Sequence, residues 1–542
     1  MNTAYDVAKE EYKKAMGKLE GKSERLRTLN IDLAAEEWKS EKEKKKWIAE
    51  KEQLEREEKR LNTDVEYWKG EMKRLSTYQP ATPMPGSMGA TLKRKHGTYR
   101  DADEMVKKLK KIAPSSYSKS KNNPEFSEIH NYRTESPNIP LSLYHSVFAT
   151  FKDNRSSLKA EADDFKSIGL LVSNMQEFYI DEETRLKNFS SWASKYFDYP
   201  VTKLPLGGNS AADLHISFDA NHAKHLLLLG EIKNELGDGN GCPYRKVCAS
   251  YARFISQKSP PDCYGLHPTF LIYLTGPYLG IAGAVFGENC VIEPLTYLIP
   301  LIQLRFDDEL LSSAANTFRL LKQSLESLKD YYDKLHLPTE INVDLPRREA
   351  YPYPDSFNYK VQFEYKRKLV KGKLLFVVQE LTNQQLLVVK FVKTYGADVH
   401  KDCAKANIAP KLIAIEKLAG SWFIVVMEYL SSECFACMYD ILLEDSQRAS
   451  SLTQKATEVA NELHKMNYVH GDFRTSNLMI SKDGEQVKIV DFDWAGKEGS
   501  AKYPHFINRS DSLDWHPDVK EGGKIEKVHD IHFITQSIKK IF

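Results

Sequence analysis

Between Tyr5 and Leu75 an apolar or aromatic residue returns every seven positions: Tyr5, Tyr12, Leu19, Leu26, Leu33, Ser40, Trp47, Leu54, Leu61, Trp68 and Leu75, with Ser40 the one polar lapse. A repeat of seven is close to two helical turns, so these side chains form one seam along an α-helix. The companion seam is apolar at Ala8, Ala15 and Met16, again at Val65 and Met72, and charged between them. The pattern predicts a coiled-coil helix over residues 1–78 that self-associates. A single solvated, charge-rich helix is the plainer alternative. With 542 residues the chain exceeds what one core organises, so further domains are expected after the helix.

Net charge is only +2 and the hydrophobic fraction is 41%, which fits globular domains and leaves any nucleic-acid contact to local basic patches. Seven cysteines form no regular framework, as expected of reduced thiols. Cys434 and Cys437 make a lone CxxC with no second pair at zinc spacing. The N-terminus carries no apolar h-region, so no conventional signal peptide is visible. The uncharged stretch from Thr269 to Gly287 is interrupted by Gly276, Pro277, Gly280 and Gly283, so it reads as two buried strands joined by a turn and no membrane contact is expected. Residues 79–140 are rich in Pro, Ser, Asn and Lys and are expected to be a basic disordered linker. Its clusters Lys93-Arg94-Lys95 and Lys107, Lys108, Lys110 and Lys111 suit a bipartite nuclear-import signal or phosphate contacts.

A domain of mixed helix and strand pattern is expected over residues 141–337. Asp213 opens a short strand, and after a polar turn the run Leu226 to Leu229 leads into Gly230, Glu231, Ile232 and Lys233. In an extended strand Glu231 and Lys233 share a face. Two carboxylates and a lysine suit phosphodiester hydrolysis, which needs a hard cation such as Mg²⁺ and a group on the attacking water. Asp213 and Glu231 are the expected metal ligands, with the Ile232 carbonyl as a further one, and Lys233 the group that positions water. The arrangement resembles the PD-(D/E)xK superfamily. Together with Ser250-Tyr251-Ala-Arg253 it is similar to the nuclease-like domain of Crinkler-type effectors. That resemblance implies an α/β restriction-endonuclease-like fold and places Lys246 where the family carries a helix glutamine. It also implies a helix glutamate, for which Glu183 is the candidate. The plainer reading pairs Glu231 with Lys233 in a salt bridge at a strand end.

Residues 350–542 carry His470-Gly-Asp472-Phe-Arg474-Thr-Ser-Asn477, followed by Val490-Asp491-Phe492-Asp493. These segments resemble the catalytic loop and metal-binding segment of protein kinases. The resemblance implies an α+β kinase-like domain with a short C-lobe, ATP and Mg²⁺ as cofactors, and a role for each matched residue. Asp472 takes the substrate hydroxyl proton, Asn477 and Asp491 hold Mg²⁺, and Arg474 lies near the γ-phosphate. Lys390, in LLVVKF, meets the α- and β-phosphates, and Val425-Val-Met427-Glu-Tyr-Leu430 forms the hinge strand. No GxGxxG precedes Lys390, only the turn Lys371-Gly372-Lys373, and no glutamate is evident on the next helix to pair with it. An inert nucleotide-binding fold is the plainer reading.

The order of coiled coil, basic linker, nuclease-like domain and kinase-like domain resembles Crinkler and related host-directed toxins. It implies a secreted effector that reaches the host nucleus and cleaves host DNA, with the kinase-like domain as regulator or second activity. Two alternatives stand beside it: a protein kinase whose middle domain binds DNA, and a non-catalytic scaffold tethered to chromatin.

Overall fold

The computed structural model describes residues 139–220, 223–237, 241–257, 266–286, 289–306, 308–335, 351–358, 361–370, 372–509 and 513–541. It also describes Ile129–His130 and the isolated helical positions Lys13, Met16, Leu19, Ile48, Lys51 and Leu54. The heptad seam as a whole, with its expected self-association, and both basic clusters lie outside the described residues. Met1–Arg94 and Lys95–Phe542 are separate compact units, and every described strand belongs to the second.

Three helices, α1 (Ser146–Asn154), α2 (Ala162–Met175) and α3 (Glu182–Phe197), precede three antiparallel strands, β1 (Thr202–Pro205), β2 (Ala211–Ala220) and β3 (Ala223–Lys233). Helix α4 (Pro243–Ser256) then crosses over to β4 (Thr269–Thr275), which runs parallel to β3. The expected pair of strands in the uncharged stretch is present, since β4 turns at Gly276 into the antiparallel β5 (Tyr278–Phe286). β6 (Cys290–Pro294) follows, and α5 (Glu309–Lys334) closes the domain. No described helix is long and apolar enough to cross a membrane. β3 carries apolar side chains to both faces: Leu227, Leu228 and Ile232 belong to one core and Leu226 and Leu229 to another. That is why its sequence is a continuous apolar run rather than an alternating one. One difference from expectation falls in the linker. Ile129–His130 pairs in parallel with Cys290 and Val291, and Ile129 is buried, so an apolar contact draws this part of the segment onto the sheet edge.

The C-terminal part opens with strands β7 (Val361–Lys368), β8 (Leu375–Glu380) and β9 (Leu386–Val392), then helix α6 (Ala397–Lys405) and strands β10 (Leu412–Leu418) and β11 (Trp422–Glu428). They form an antiparallel sheet ordered β10-β11-β9-β8-β7 and edged by Ser356–Phe357. A mainly helical lobe follows, with β12 (Phe435–Cys437), α7 (Met438–Glu444), α8 (Ala449–Lys465), the hairpin β13 (Leu478–Ser481) and β14 (Val487–Ile489), and α9 (Lys527–Lys539).

The two domains share one core. Phe376, Val378, Leu387, Val389, Phe391 and Ile424, on the outer face of the C-terminal sheet, pack in the same cluster as Phe148, Phe270 and Phe318 of the middle domain. The alternate positions Val388, Val392, Val425 and Met427 form a separate cluster on the opposite face, as the two-residue side-chain period of a strand requires. Polar contacts cross the same seam: Trp422 Nε1 donates to Ser142 Oγ (3.0 Å) and Gly420 N to Asp153 Oδ2 (2.7 Å).

Candidate active site

Lys390 lies on β9, the strand between β8 and β11, opposite Leu375 and Val425. Its neighbours in sequence are buried valine and phenylalanine, so its ammonium leaves the core only on the side of the cleft, where it pairs with the carboxylates of Asp491 and Asp493. Lys373, beside the turn at Gly372 (φ 82°), reaches the other oxygen of Asp491 at 2.8 Å. Asp491 follows β14 with φ 74°, a left-handed conformation that Asp tolerates better than most residues. Burial acts to raise its pKa, but the ammonium groups of Lys390 and Lys373 outweigh that and hold it well below the usual carboxylate range. For Asp493, burial and the neighbouring Asp491 charge win over Lys390 and push it up to about 6.

Asp472 comes from the loop between Val469 and the short helix at Thr475–Asn477. Asn477 Nδ2 donates to its main-chain oxygen (2.9 Å) and to Oδ2 (2.7 Å), and Arg474 Nε lies 3.0 Å from Oδ1. Burial raises its pKa, against the opposing charge of Arg474. With its amide nitrogen committed to Asp472, Asn477 keeps its side-chain oxygen for another partner. The loop is anchored from behind by Asp530 of α9. This fully buried carboxylate accepts the His470 N–H (2.9 Å) and the Gly471 N–H (2.8 Å). Gly471 has φ 81°, and a Cβ there would lie 2.7 Å from Ile525 Cδ1, so glycine is what the turn admits.

The structure thus brings the expected Lys390, Asp472, Arg474, Asn477 and Asp491 together, adds Lys373 and Asp493 to them, and sets Asp530 behind the loop. Asp493 stands two residues after Asp491 in the sequence, within the same short segment. Asp530 lies 59 and 60 residues from its partners and gave no local signal. A divalent cation fits the donor set. The Asn477 side-chain oxygen and the Asp491 carboxylate are hard oxygen donors, and Mg²⁺ is commonly held by one or two carboxylates together with substrate phosphates. Among the described residues no three His, Cys, Asp or Glu side chains gather as a metal cage.

Helix α6 presents His400 to the interior, stacked on Phe492 with ring centroids 4.6 Å apart, its Nε2 against the Pro410 carbonyl. Burial lowers its pKa from 6.5 to about 4. The unfolded chain therefore protonates first as pH falls, and the folded state loses stability across the window from 6.5 down to about 4. The expected loss from this residue is about 3 kcal/mol. Denaturant titrations at the two ends of the window should differ by that much more in the wild type than in His400→Gln; an equal difference in both proteins would contradict the assignment.

The second cluster, in the middle domain, departs from expectation. Asp213 and Glu231 do meet on neighbouring strands, and Asp213 Oδ2 accepts the Ile232 N–H (2.9 Å). Between them lies the ammonium of Lys246 from α4, 3.1 Å from Asp213 Oδ1 and 2.6 Å from Glu231 Oε2. Ser250 Oγ donates to Glu231 Oε1 (2.7 Å). Burial and the Asp213 charge raise Glu231 well above the usual carboxylate range. An internal ammonium thus lies between the two carboxylates, where the sequence led one to expect a divalent cation. Lys233 does not pair with Glu231; it turns to Glu182 at 2.6 Å. The helix acid at this end of β3 is therefore Glu182 and not the exposed Glu183, because the Asp181 cap fixes the phase of α3 so that Glu182 faces the sheet.

A protein kinase domain model matches residues 374–511. Among solved structures, the chain is similar to the Cydia pomonella Granulovirus kinase PK-1, at 18% identity over 33% of this chain and 67% of that chain, with a TM-score of 0.28. No curated protein matches the chain.

Proposed function

We propose that the protein is an ATP-dependent phosphotransferase whose C-terminal kinase domain transfers the γ-phosphate to a hydroxyl group. The observation that carries this reading is the convergence of Lys390, Asp491, Asn477 and Asp472 on one cleft, inside the segment matched by the protein kinase model. Lys390 and Lys373 offset phosphate charge from the sheet side. Asp472, fixed by Asn477 and Arg474, accepts the hydroxyl proton, and its raised pKa suits a group that must hold that proton in the transition state. Arg474 stands beside it to balance charge on the transferring group. Mg²⁺, when bound at Asn477 and Asp491, supplies positive charge to the β- and γ-phosphate oxygens. The experiment is transfer of label from γ-labelled ATP to the chain itself or to added protein acceptors, expected in the wild type and absent in Asp491→Ala.

For the middle domain the reading is DNA binding. It is supported by the order helix, three antiparallel strands, crossover helix, parallel strand, and by the meeting of Asp213 with Glu231 on neighbouring strands. Hydrolysis is not part of this proposal: both carboxylates pair with Lys246, and the segment matched by a family model lies in the C-terminal part. The protein is expected to bind plasmid DNA with an affinity that falls steeply with salt, and not to nick it in Mg²⁺. Nicking by the wild type that Glu231→Gln abolishes would restore the nuclease reading. Nuclear targeting through the basic clusters between Lys93 and Lys111, in a host cell or otherwise, is proposed from their spacing alone and is tested by the distribution of a fluorescent fusion.

A further inference from the structure

A phosphate-binding lysine needs a carboxylate that fixes its ammonium. The acidic residues of α6, the helix that follows β9, do not serve: Asp398 is exposed, and Asp402 is taken by Lys405 (2.9 Å) and by the Tyr468 hydroxyl (2.9 Å). The inward positions of the helix are Val399, His400 and Cys403. Among the described residues, the carboxylates paired with Lys390 are Asp491 and Asp493. Asp491 is already shared with Lys373, and under the nucleotide reading proposed above, on which this inference rests, it turns its oxygens to the metal ion when ATP binds. One carboxylate then remains for the lysine.

We infer that Asp493 is the positioning residue of Lys390, filling from the loop after β14 the place that no acid of α6 reaches. The backbone around it is tied to the segment that leaves β9, so the two partners are held in one frame. Thr394 Oγ1 donates to the Asp493 carbonyl (3.1 Å) and Gly396 N to the Phe492 carbonyl (2.9 Å). A Cβ on Gly396 would lie 2.4 Å from the Ala495 carbonyl oxygen, so this close approach of the two segments requires a glycine.

The test is a double-mutant cycle on the full chain with Asp493→Asn, Lys390→Met and the double variant, read as kcat/KM for ATP. A residue that acts only through Lys390 has no effect once Lys390 is gone. Asp493→Asn is expected to lower kcat/KM by roughly tenfold with Lys390 present, to leave Lys390→Met unchanged, and to be largely rescued by Asp493→Glu. A second readout is independent of activity: the ¹⁵Nζ ammonium signal of Lys390, identified by its loss in Lys390→Met, should persist with Mg²⁺ and a non-hydrolysable ATP analogue in the wild type and in Asp493→Glu, and vanish in Asp493→Asn. An equal loss of kcat/KM in both backgrounds, accompanied by a shift in Mg²⁺ dependence, would make Asp493 a metal ligand and overturn the inference. A wild type that binds no ATP overturns the nucleotide reading and this inference with it. A wild type that binds ATP, with no coupling between the two residues, overturns this inference alone.

Discussion

Replacing Asp472 by Asn should lower phosphoryl transfer by about 10²–10⁴-fold, the range that a positioned general base contributes, while leaving ATP affinity within a few-fold of the wild type. The expectation follows from what surrounds the carboxylate. Asn477 and Arg474 hold it in one orientation, and Lys390 and Lys373 pair with Asp491 instead, so its removal leaves the Lys390–Asp491 side of the cleft intact. Single-turnover transfer from labelled ATP, with nucleotide affinity measured in parallel, separates the two effects. A variant that transfers at the wild-type rate would remove Asp472 from the reaction.

The largest effect on stability is expected at Asp530. Its fully buried carboxylate accepts two buried main-chain N–H groups from the His470–Gly471 turn and lies 3.1 Å from the partly exposed His464 Nε2. Asp530→Ala leaves those donors buried without partners. Removing one member of a buried charged network costs about 3–5 kcal/mol, which corresponds to a fall of roughly 10 °C in Tm. A melting temperature within a degree or two of the wild type would show that the turn is held by other contacts. Asp530→Ala should also reduce transfer, because the turn sets the position of Asp472, and that reduction should exceed what partial unfolding explains at a temperature well below Tm.

How much of the fold and the cleft is legible in the sequence depends on how local the determinants are. The Asp472 to Asn477 loop and the Asp491 segment are short, and their polar residues stand between apolar strands, so residue types and spacing are enough to locate them. Lys390 is legible for the same reason, as a charged residue inside LLVVKF. Its partner is not: Asp493 is 103 residues away, and only the fold brings it under the sheet. Asp530 sits in a helix start that resembles any other polar turn. In the middle domain the β2–β3 hairpin and the meeting of Asp213 with Glu231 follow from the apolar run and the polar turn before it. What the sequence does not show there is occupancy and phase. Lys246 is 33 residues from Asp213 in sequence, and nothing local shows that its ammonium enters the gap between the two carboxylates. Glu182 and Glu183 differ by one position and about 100° around the helix, a choice made by where Asp181 caps α3. The shared core was hidden in another way. β9 and β11 are apolar on both faces, which announces burial without saying what covers each face; the outer face is covered by the middle domain.

That packing has a consequence for the cleft. The sheet carrying Lys390 is backed by the middle domain through Phe376, Val389 and Phe391, so the lysine is supported by residues outside the segment matched as a kinase domain. The central claim remains that this cleft binds ATP through Lys390 and Asp491. Titration calorimetry of the full chain with Mg²⁺ and ATP tests it most directly. Saturable binding at a single site is predicted for the wild type and for Asp472→Asn, and loss of that binding for Asp491→Ala; no binding by the wild type, or binding undiminished in Asp491→Ala, would contradict it.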